Sequence, residues 1–173
     1  NTDEALKYAT QFFELATNHF EPFHPIYMQS YYHMGKVQLA LEKYDEAIQS
    51  FHQVIMSGAE LTELEPERDF FEFEIDLFEE GARCHIYMGM PEEAIEFIEL
   101  LLEFRIAKYG EFSPEVIKTY KSFMELHKEI GNHEQALHFG RKAYETNVEL
   151  LGKKHPITLE LAGELDQIER LME

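Results

Sequence analysis

The sequence is short of cysteine, tryptophan, basic side chains and long apolar runs. One cysteine, Cys84, among 173 residues excludes an intramolecular disulfide and a cysteine-ligated zinc site. Fifteen Lys and Arg stand against 34 Asp and Glu, a formal charge of −19. Such a body repels nucleic-acid phosphate and anionic membrane, which argues against nonspecific binding to either. No apolar stretch approaches the ~20 residues of a membrane-spanning helix, and no secretory leader opens the chain. The expectation is a soluble, cytoplasmic protein in a reducing compartment. The start at Asn1, without an initiator Met, reads as a piece of something longer. What is present, 45% hydrophobic and 28% charged residues, suffices for one domain with a substantial core.

The sequence repeats. Asp3-Glu4-Ala5, Asp45-Glu46-Ala47, Glu92-Glu93-Ala94 and Glu134-Gln135-Ala136 share one form, with alanines 42, 47 and 42 residues apart. Each alanine is followed after 19 or 20 residues by a proline, at Pro25, Pro66, Pro114 and Pro156. Gly89 and Gly131 stand five residues before their alanines, and Gly110 and Gly152 four before a proline. Proline suits the first turn of a helix, where its missing N–H costs nothing. Glycine allows the positive φ that ends a helix, and the acidic pair after it complements the dipole of the next. The unit is a helix-turn-helix hairpin, with alanine where two helices cross too closely for a larger side chain.

The landmarks predict eight helices: Thr2 to Asn18, Pro25 to Leu41, Tyr44 to Ser57, Pro66 to Met88, Pro91 to Lys108, Pro114 to Ile130, His133 to Leu150 and Pro156 to Met172. The first has the phase of a second hairpin helix, and the last, Pro156 to Glu173, has the phase of a first helix without its partner and is expected to act as a cap. The expected repeats are Asn1 to Asn18 (incomplete), Pro25 to Ser57, Pro66 to Lys108 and Pro114 to Leu150, in one helical repeat domain over 1–173. Pro66 to Ala94 spans 28 residues where the other pairs span 22. Within it, Phe70 to Phe78 alternates as a strand could, but an isolated strand would leave its backbone unpaired, so a helix is expected. Its aromatics either sandwich into the stack or face a partner.

Tyr31, Met34-Gly35, Tyr44, Ala47 and Phe51 fall at the spacing of the tetratricopeptide signature, and Gly89 with Ala94, and Tyr120, Gly131, Ala136 and Ala143, match it more weakly. The 42-residue period, and Leu151-Gly152-Lys153-Lys154-His155-Pro156-Ile157-Thr158-Leu159, resemble the kinesin-light-chain-type form of that repeat. The resemblance implies an all-α, right-handed α-solenoid of antiparallel helix pairs whose first helices line a concave groove for peptides or other protein segments.

Catalytic chemistry is not indicated. There is no phosphate loop, dinucleotide turn or nucleophile elbow. His85 and His127 stand one 42-residue period apart, in a slot where the repeat keeps an aromatic, so core packing explains them better than a metal. His133 and His138 are five apart on one helix, about 140° around it, and cannot share a metal unaided. Cys84 falls one period before Leu126, and burial is its default reading. No cofactor or metal is expected.

Groove positions transferred from the family give Gln29, Tyr32, Lys36, Leu39 and Ala40 on the first groove helix, Asp76, Glu79, Arg83, Ile86 and Tyr87 on the second, and Lys118, Lys121, Glu125, Lys128 and Glu129 on the third. Five are basic and four acidic, a balance of +1 inside a chain of −19. A positive stripe would steer an acidic segment into the groove; chance is the rival reading of so small a count. The lysine–asparagine clamp of chaperone-tail binders is not reproduced, since Tyr32 and Lys36 stand in its place. Nor is the asparagine pair of kinesin light chains, where Lys121-Ser122 stand. The expected function is a non-catalytic interaction module that binds a peptide or partner segment through Gln29, Tyr32, Lys36, Arg83, Lys118, Lys121 and Lys128. A regulatory array gating an attached effector domain, and a homo-oligomeric scaffold, remain alternatives.

Overall fold

In the computed structural model, which describes residues 2–172, eight α-helices account for nearly all of the described chain: α1 (Thr2–His19), α2 (Pro25–Ala40), α3 (Tyr44–Leu64), α4 (Glu72–Tyr87), α5 (Pro91–Tyr109), α6 (Pro114–Glu129), α7 (His133–Leu151) and α8 (Pro156–Arg170). No strand occurs among the described residues. Asn1 and Glu173, the outer limits of the expected repeats, lie outside them. The chain forms two compact units, Asn1–Ala94 and Ile95–Glu173.

In the first unit α2 and α3 form a hairpin, α1 packs on α2, and α4 packs on α3 and α2. Its core is built from Met28, Leu39, Ala47, Phe51, Val54, Ile75, Phe78 and Cys84. In the second, α6 and α7 form the hairpin and α8 packs on α7. Val116, Tyr120, Met124, Ala143, Leu161 and Leu165 are buried there, with Leu102 and Ile106 of α5 against them. Ala47, Ala94 and Ala136 are completely buried, as close helix crossing requires, whereas Ala5 is exposed.

Three hairpin turns share one backbone design. The N–H of Lys43 donates to Gln38 O, that of Met90 to His85 O and that of Asn132 to His127 O, at 2.9, 2.9 and 2.8 Å. The residue before each donor takes positive φ: Glu42 (61°), Gly89 (72°) and Gly131 (75°). Five-residue spacing of this kind closes a helix by turning its chain left-handed, a conformation natural to glycine and strained for glutamate.

The prolines at 25, 114 and 156 each open a helix, and the preceding side chain caps it. His24 Nδ1 accepts from the Ile26 N–H (3.2 Å), Ser113 Oγ from Val116 (3.3 Å) and His155 Nδ1 from Ile157 (3.3 Å). Pro66 does not open a helix, contrary to expectation. α3 continues past Ser57 to Leu64, residues 65–71 form a loop, and α4 starts at Glu72. The extra residues are therefore absorbed before α4, which keeps the 16-residue length of α2 and α6.

A buried ion pair fixes this arrangement. Arg68 Nη2 and Nη1 donate to Glu74 Oε1 and Oε2 at 2.7 and 2.8 Å, and both side chains are over nine-tenths buried. Arg68 also donates to Gly58 O (3.0 Å) and Thr62 Oγ1 (3.2 Å), while Glu74 Oε2 accepts the Phe71 N–H (2.8 Å) and caps α4. Gly58 sits inside α3 because a Cβ there would collide with the Glu74 carboxylate. Phe70 and Phe71, expected in the helix, lie in the loop with Arg68 over their rings; Ile75, Leu77 and Phe78 are buried in the stack.

Candidate functional site

α2 and α4 are equivalent helices 47 residues apart, so side chains at matching positions project from matching places. Lys36 and Arg83 are such a pair, as are Ala40 and Tyr87. Lys36, Leu39, Ala40, Arg83 and Tyr87 line one open pocket of about 470 Å³, completed by Glu42, Tyr44 and Glu80. The tyrosine rings of 44 and 87 lie 5.4 Å apart at one side.

Glu80 organises the charges. Its Oε1 lies 3.5 Å from Lys36 Nζ, and its Oε2 accepts from Arg83 Nη1 at 2.7 Å. The Glu80 side chain is only 14% exposed, while those of Lys36 and Arg83 are 45% and 49% exposed. The two cations are thus held by a sheltered carboxylate and remain open to solvent. Burial presses the Lys36 pKa down, but Tyr32 and Glu80 outweigh it and the net shift is upward. The Arg83 pKa is also shifted up, chiefly by its hydrogen bond with Tyr87 and, against the opposing effect of burial, by Glu80. Both stay charged at neutral pH.

Tyr32, expected as a groove contact, is buried at 6% exposure. It forms the floor of the face: its ring lies 5.9 Å from that of Phe73 and 6.3 Å from that of Phe51, with the Lys36 ammonium 5.4 Å from its centroid. Burial raises its pKa and Lys36 partly offsets this. Gln29 is exposed on α2, outside the pocket lining. Lys118, Lys121 and Lys128 belong to α6 in the second unit. Lys118 is exposed and the other two half-buried, and Lys128 Nζ pairs with Glu125 at 3.1 Å. Glu125 occupies on α6 the place of Lys36 and Arg83, so the basic positions of α6 lie elsewhere along the helix.

The sequence reading missed Glu80, Glu42 and Tyr44. Glu80 precedes Arg83 by three residues on one helix, a spacing that brings opposite charges together. Glu42 takes the turn position that Gly89 and Gly131 fill in the other hairpins.

Other candidate groups belong to the core. Cys84 is fully buried, and burial pushes its thiol up to about 11, so it is protonated and unreactive at neutral pH. His127 is buried and stacked on Phe139, its ring 5.6 Å away and nearly parallel; His85 is half-buried. Among the described residues no group of three or more His, Cys, Asp or Glu side chains is placed to hold a metal ion. No helix among them is long and apolar enough to cross a membrane.

Residues 29–57 and 125–157 each match a tetratricopeptide repeat family. The chain is similar to a solved Podosopora anserina structure described as kinesin light chain nearly identical TPR-like repeats. The two are 18% identical with a TM-score of 0.80, over 98% of this chain and 78% of that one. A point variant of that protein gives 18% identity and a TM-score of 0.78, over 98% and 77% of the two chains. BtubC (BKLC) from P. vanneervenii gives 16% identity and a TM-score of 0.70, over 99% and 66%. No curated protein matches the chain in sequence. Two segments of the chain thus match tetratricopeptide repeats, and its likeness to the solved structures shows an α-solenoid fold of the kind seen in kinesin-light-chain-like repeats. Tetratricopeptide repeats are in general protein–protein interaction modules and non-catalytic scaffolds.

Proposed function

We propose that this chain binds a peptide or partner segment across the α2–α4 face, and that an acidic side chain or terminal carboxylate of that partner engages Lys36 and Arg83. The observation that carries this reading is the convergence of those two cations, from equivalent positions on successive repeats, on one carboxylate. A guanidinium and an ammonium already spaced to grip Glu80 are spaced to grip a ligand carboxylate, and arginine adds planar bidentate geometry. Tyr44 and Tyr87 supply apolar area beside them. In a body of charge −19, a pocket where Lys36 and Arg83 balance Glu80 and Glu42 repels an acidic partner less than the surrounding surface does. Lys118, Lys121 and Lys128, with Gln29, are secondary contacts in this reading. Neither a cofactor nor catalysis enters it.

The test is titration of the full chain with a fluorescent acidic peptide and its charge-neutral amide counterpart. Lys36→Glu with Arg83→Glu should abolish the preference for the acidic peptide while leaving the helical circular dichroism intact. Lys118→Glu with Lys121→Glu should lower the association rate and its salt sensitivity. Unchanged binding in the first pair overturns the site, and in the second removes those lysines from it.

A further inference from the structure

A second surface, distinct from the α2–α4 face, lies where α1 turns into α2. There an open cleft of about 610 Å³ is lined by Phe13, Thr17, Phe20, Glu21, Tyr27 and Tyr31 with their neighbours, and by no Lys or Arg. Phe13 meets Tyr31 edge-on at 4.8 Å, and the rings of Tyr27 and Tyr31 are 5.0 Å apart with their hydroxyls 3.4 Å from one another. Glu21 is the one carboxylate in the lining. Burial pushes the Tyr31 phenol up to about 12, so it remains neutral and its ring keeps an electron-rich face.

The next repeat shows what such a junction accommodates. Tyr27 is the third residue of α2, and Glu74 the third residue of α4; Ala16 on α1 corresponds to Gly58 on α3 by the 42-residue period. In the α3–α4 junction the protein fills that place with its own Arg68. The guanidinium bonds both oxygens of Glu74 and the Gly58 carbonyl, and lies 4.9 and 5.7 Å from the ring centroids of Phe70 and Phe71. One carboxylate and a set of aromatic faces thus hold an arginine at the edge of one hairpin. The α1–α2 junction has the aromatic faces and a carboxylate, but its loop, Phe20 to His24, is two residues shorter than the 65–71 loop and contains no arginine or lysine.

We propose that the α1–α2 cleft binds an arginine side chain of a partner polypeptide, seated against Tyr27, Tyr31 and Phe20 with its charge met by Glu21. The ligand takes in trans the role that Arg68 plays in cis one repeat later. The net negative charge of the chain favours arrival of such a cation, and the lining, whose one imidazole is His19, holds no Lys or Arg to compete with it.

The test is a nuclear magnetic resonance titration of the full chain with N-acetyl-arginine amide and with the neutral isostere N-acetyl-citrulline amide. Arginine should shift amide signals of Phe20, Glu21, Tyr27 and Tyr31 in a saturable manner, and citrulline should not. Glu21→Gln should weaken the arginine affinity about tenfold, as expected for loss of one charge-assisted contact, and Tyr27→Leu should weaken it while thermal unfolding stays cooperative. Equal shifts from citrulline, shifts scattered over acidic side chains elsewhere, or an unchanged affinity in Glu21→Gln would each overturn the proposal. Because Lys36 and Arg83 lie outside this cleft, their charge reversal should leave the arginine titration unchanged.

Discussion

Arg83 and Glu80, one helical turn apart on α4, are joined by a 2.7 Å hydrogen bond, and the second Glu80 oxygen lies 3.5 Å from Lys36 on α2. The carboxylate thus occupies the position between two cations that a ligand carboxylate would take. It tethers α4 to α2 and competes with any acidic partner. Glu80→Gln keeps the shape and removes the charge, so it should strengthen binding of an acidic peptide several-fold and make the binding more salt-sensitive. Fluorescence anisotropy at two ionic strengths checks this; weaker binding in the variant would show that Glu80 positions the cations more than it competes for them.

Arg68 and Glu74 answer to a different energetic rule. Both are over nine-tenths buried and every strong contact of the pair is inside the protein, so removing one member strands the other charge. Arg68→Ala should destabilise the first unit by about 3–5 kcal/mol. Arg68→Met combined with Glu74→Gln should recover most of that, because the amide oxygen still accepts the Phe71 N–H. Urea unfolding followed by circular dichroism distinguishes the two, and a single variant as stable as the double would show the pair to be dispensable.

This pair also marks where the sequence stopped being legible. Alanine and proline landmarks are local, and α2, α5, α6, α7 and α8 begin at the residues they indicate. The start of α4 is set by a side chain reaching across the α3–α4 junction. Pro66 carries the local signal of a helix start, but Arg68 needs the following turn open to reach Glu74, Gly58 and Thr62. Gly58, one residue past the helix end expected at Ser57, lies inside α3 and serves as clearance for the Glu74 carboxylate. At the candidate site, Lys36 and Arg83 follow from the family's groove positions carried over by repeat register. Glu80 was hidden because its importance lies in touching both, and Tyr32 because burial depends on Phe51 and Phe73 of other helices.

His127 gives the second unit a pH signature. Burial lowers its pKa below the ordinary 6.5, and the Glu99 charge offsets this only in part. The folded state therefore favours the neutral ring, and the unfolded chain binds a proton first as pH falls. Its contribution to stability is whole above about pH 6.5, declines as pH drops through that value, and levels off below the folded-state pKa. His127→Phe, which keeps the stack on Phe123 and Phe139, should flatten the fall in stability over that window. Thermal unfolding of both proteins across the range checks it; parallel profiles would assign the slope to other histidines, His33 among them, whose pKa burial also lowers.

Glu42 combines a backbone strain with a place in the pocket. Its φ of 61° is the one positive value among the described non-glycine residues, at the turn where the other hairpins keep Gly89 and Gly131. An L-residue pays about 1–2 kcal/mol for left-handed backbone, and glycine gives back about 0.5–1 through its freer unfolded chain, so Glu42→Gly should stabilise the first unit by about 0.5–1 kcal/mol. The same change removes one of the two carboxylates that line the pocket with Lys36 and Arg83, so affinity for an acidic peptide should rise together with stability. Glu42→Gln separates the effects: the backbone strain stays and the charge goes, so affinity should rise with no gain in melting temperature. A Glu42→Gly protein less stable than the parent would mean that the turn depends on the side chain at this position and that glycine at the other two turns is not the reason those hairpins close.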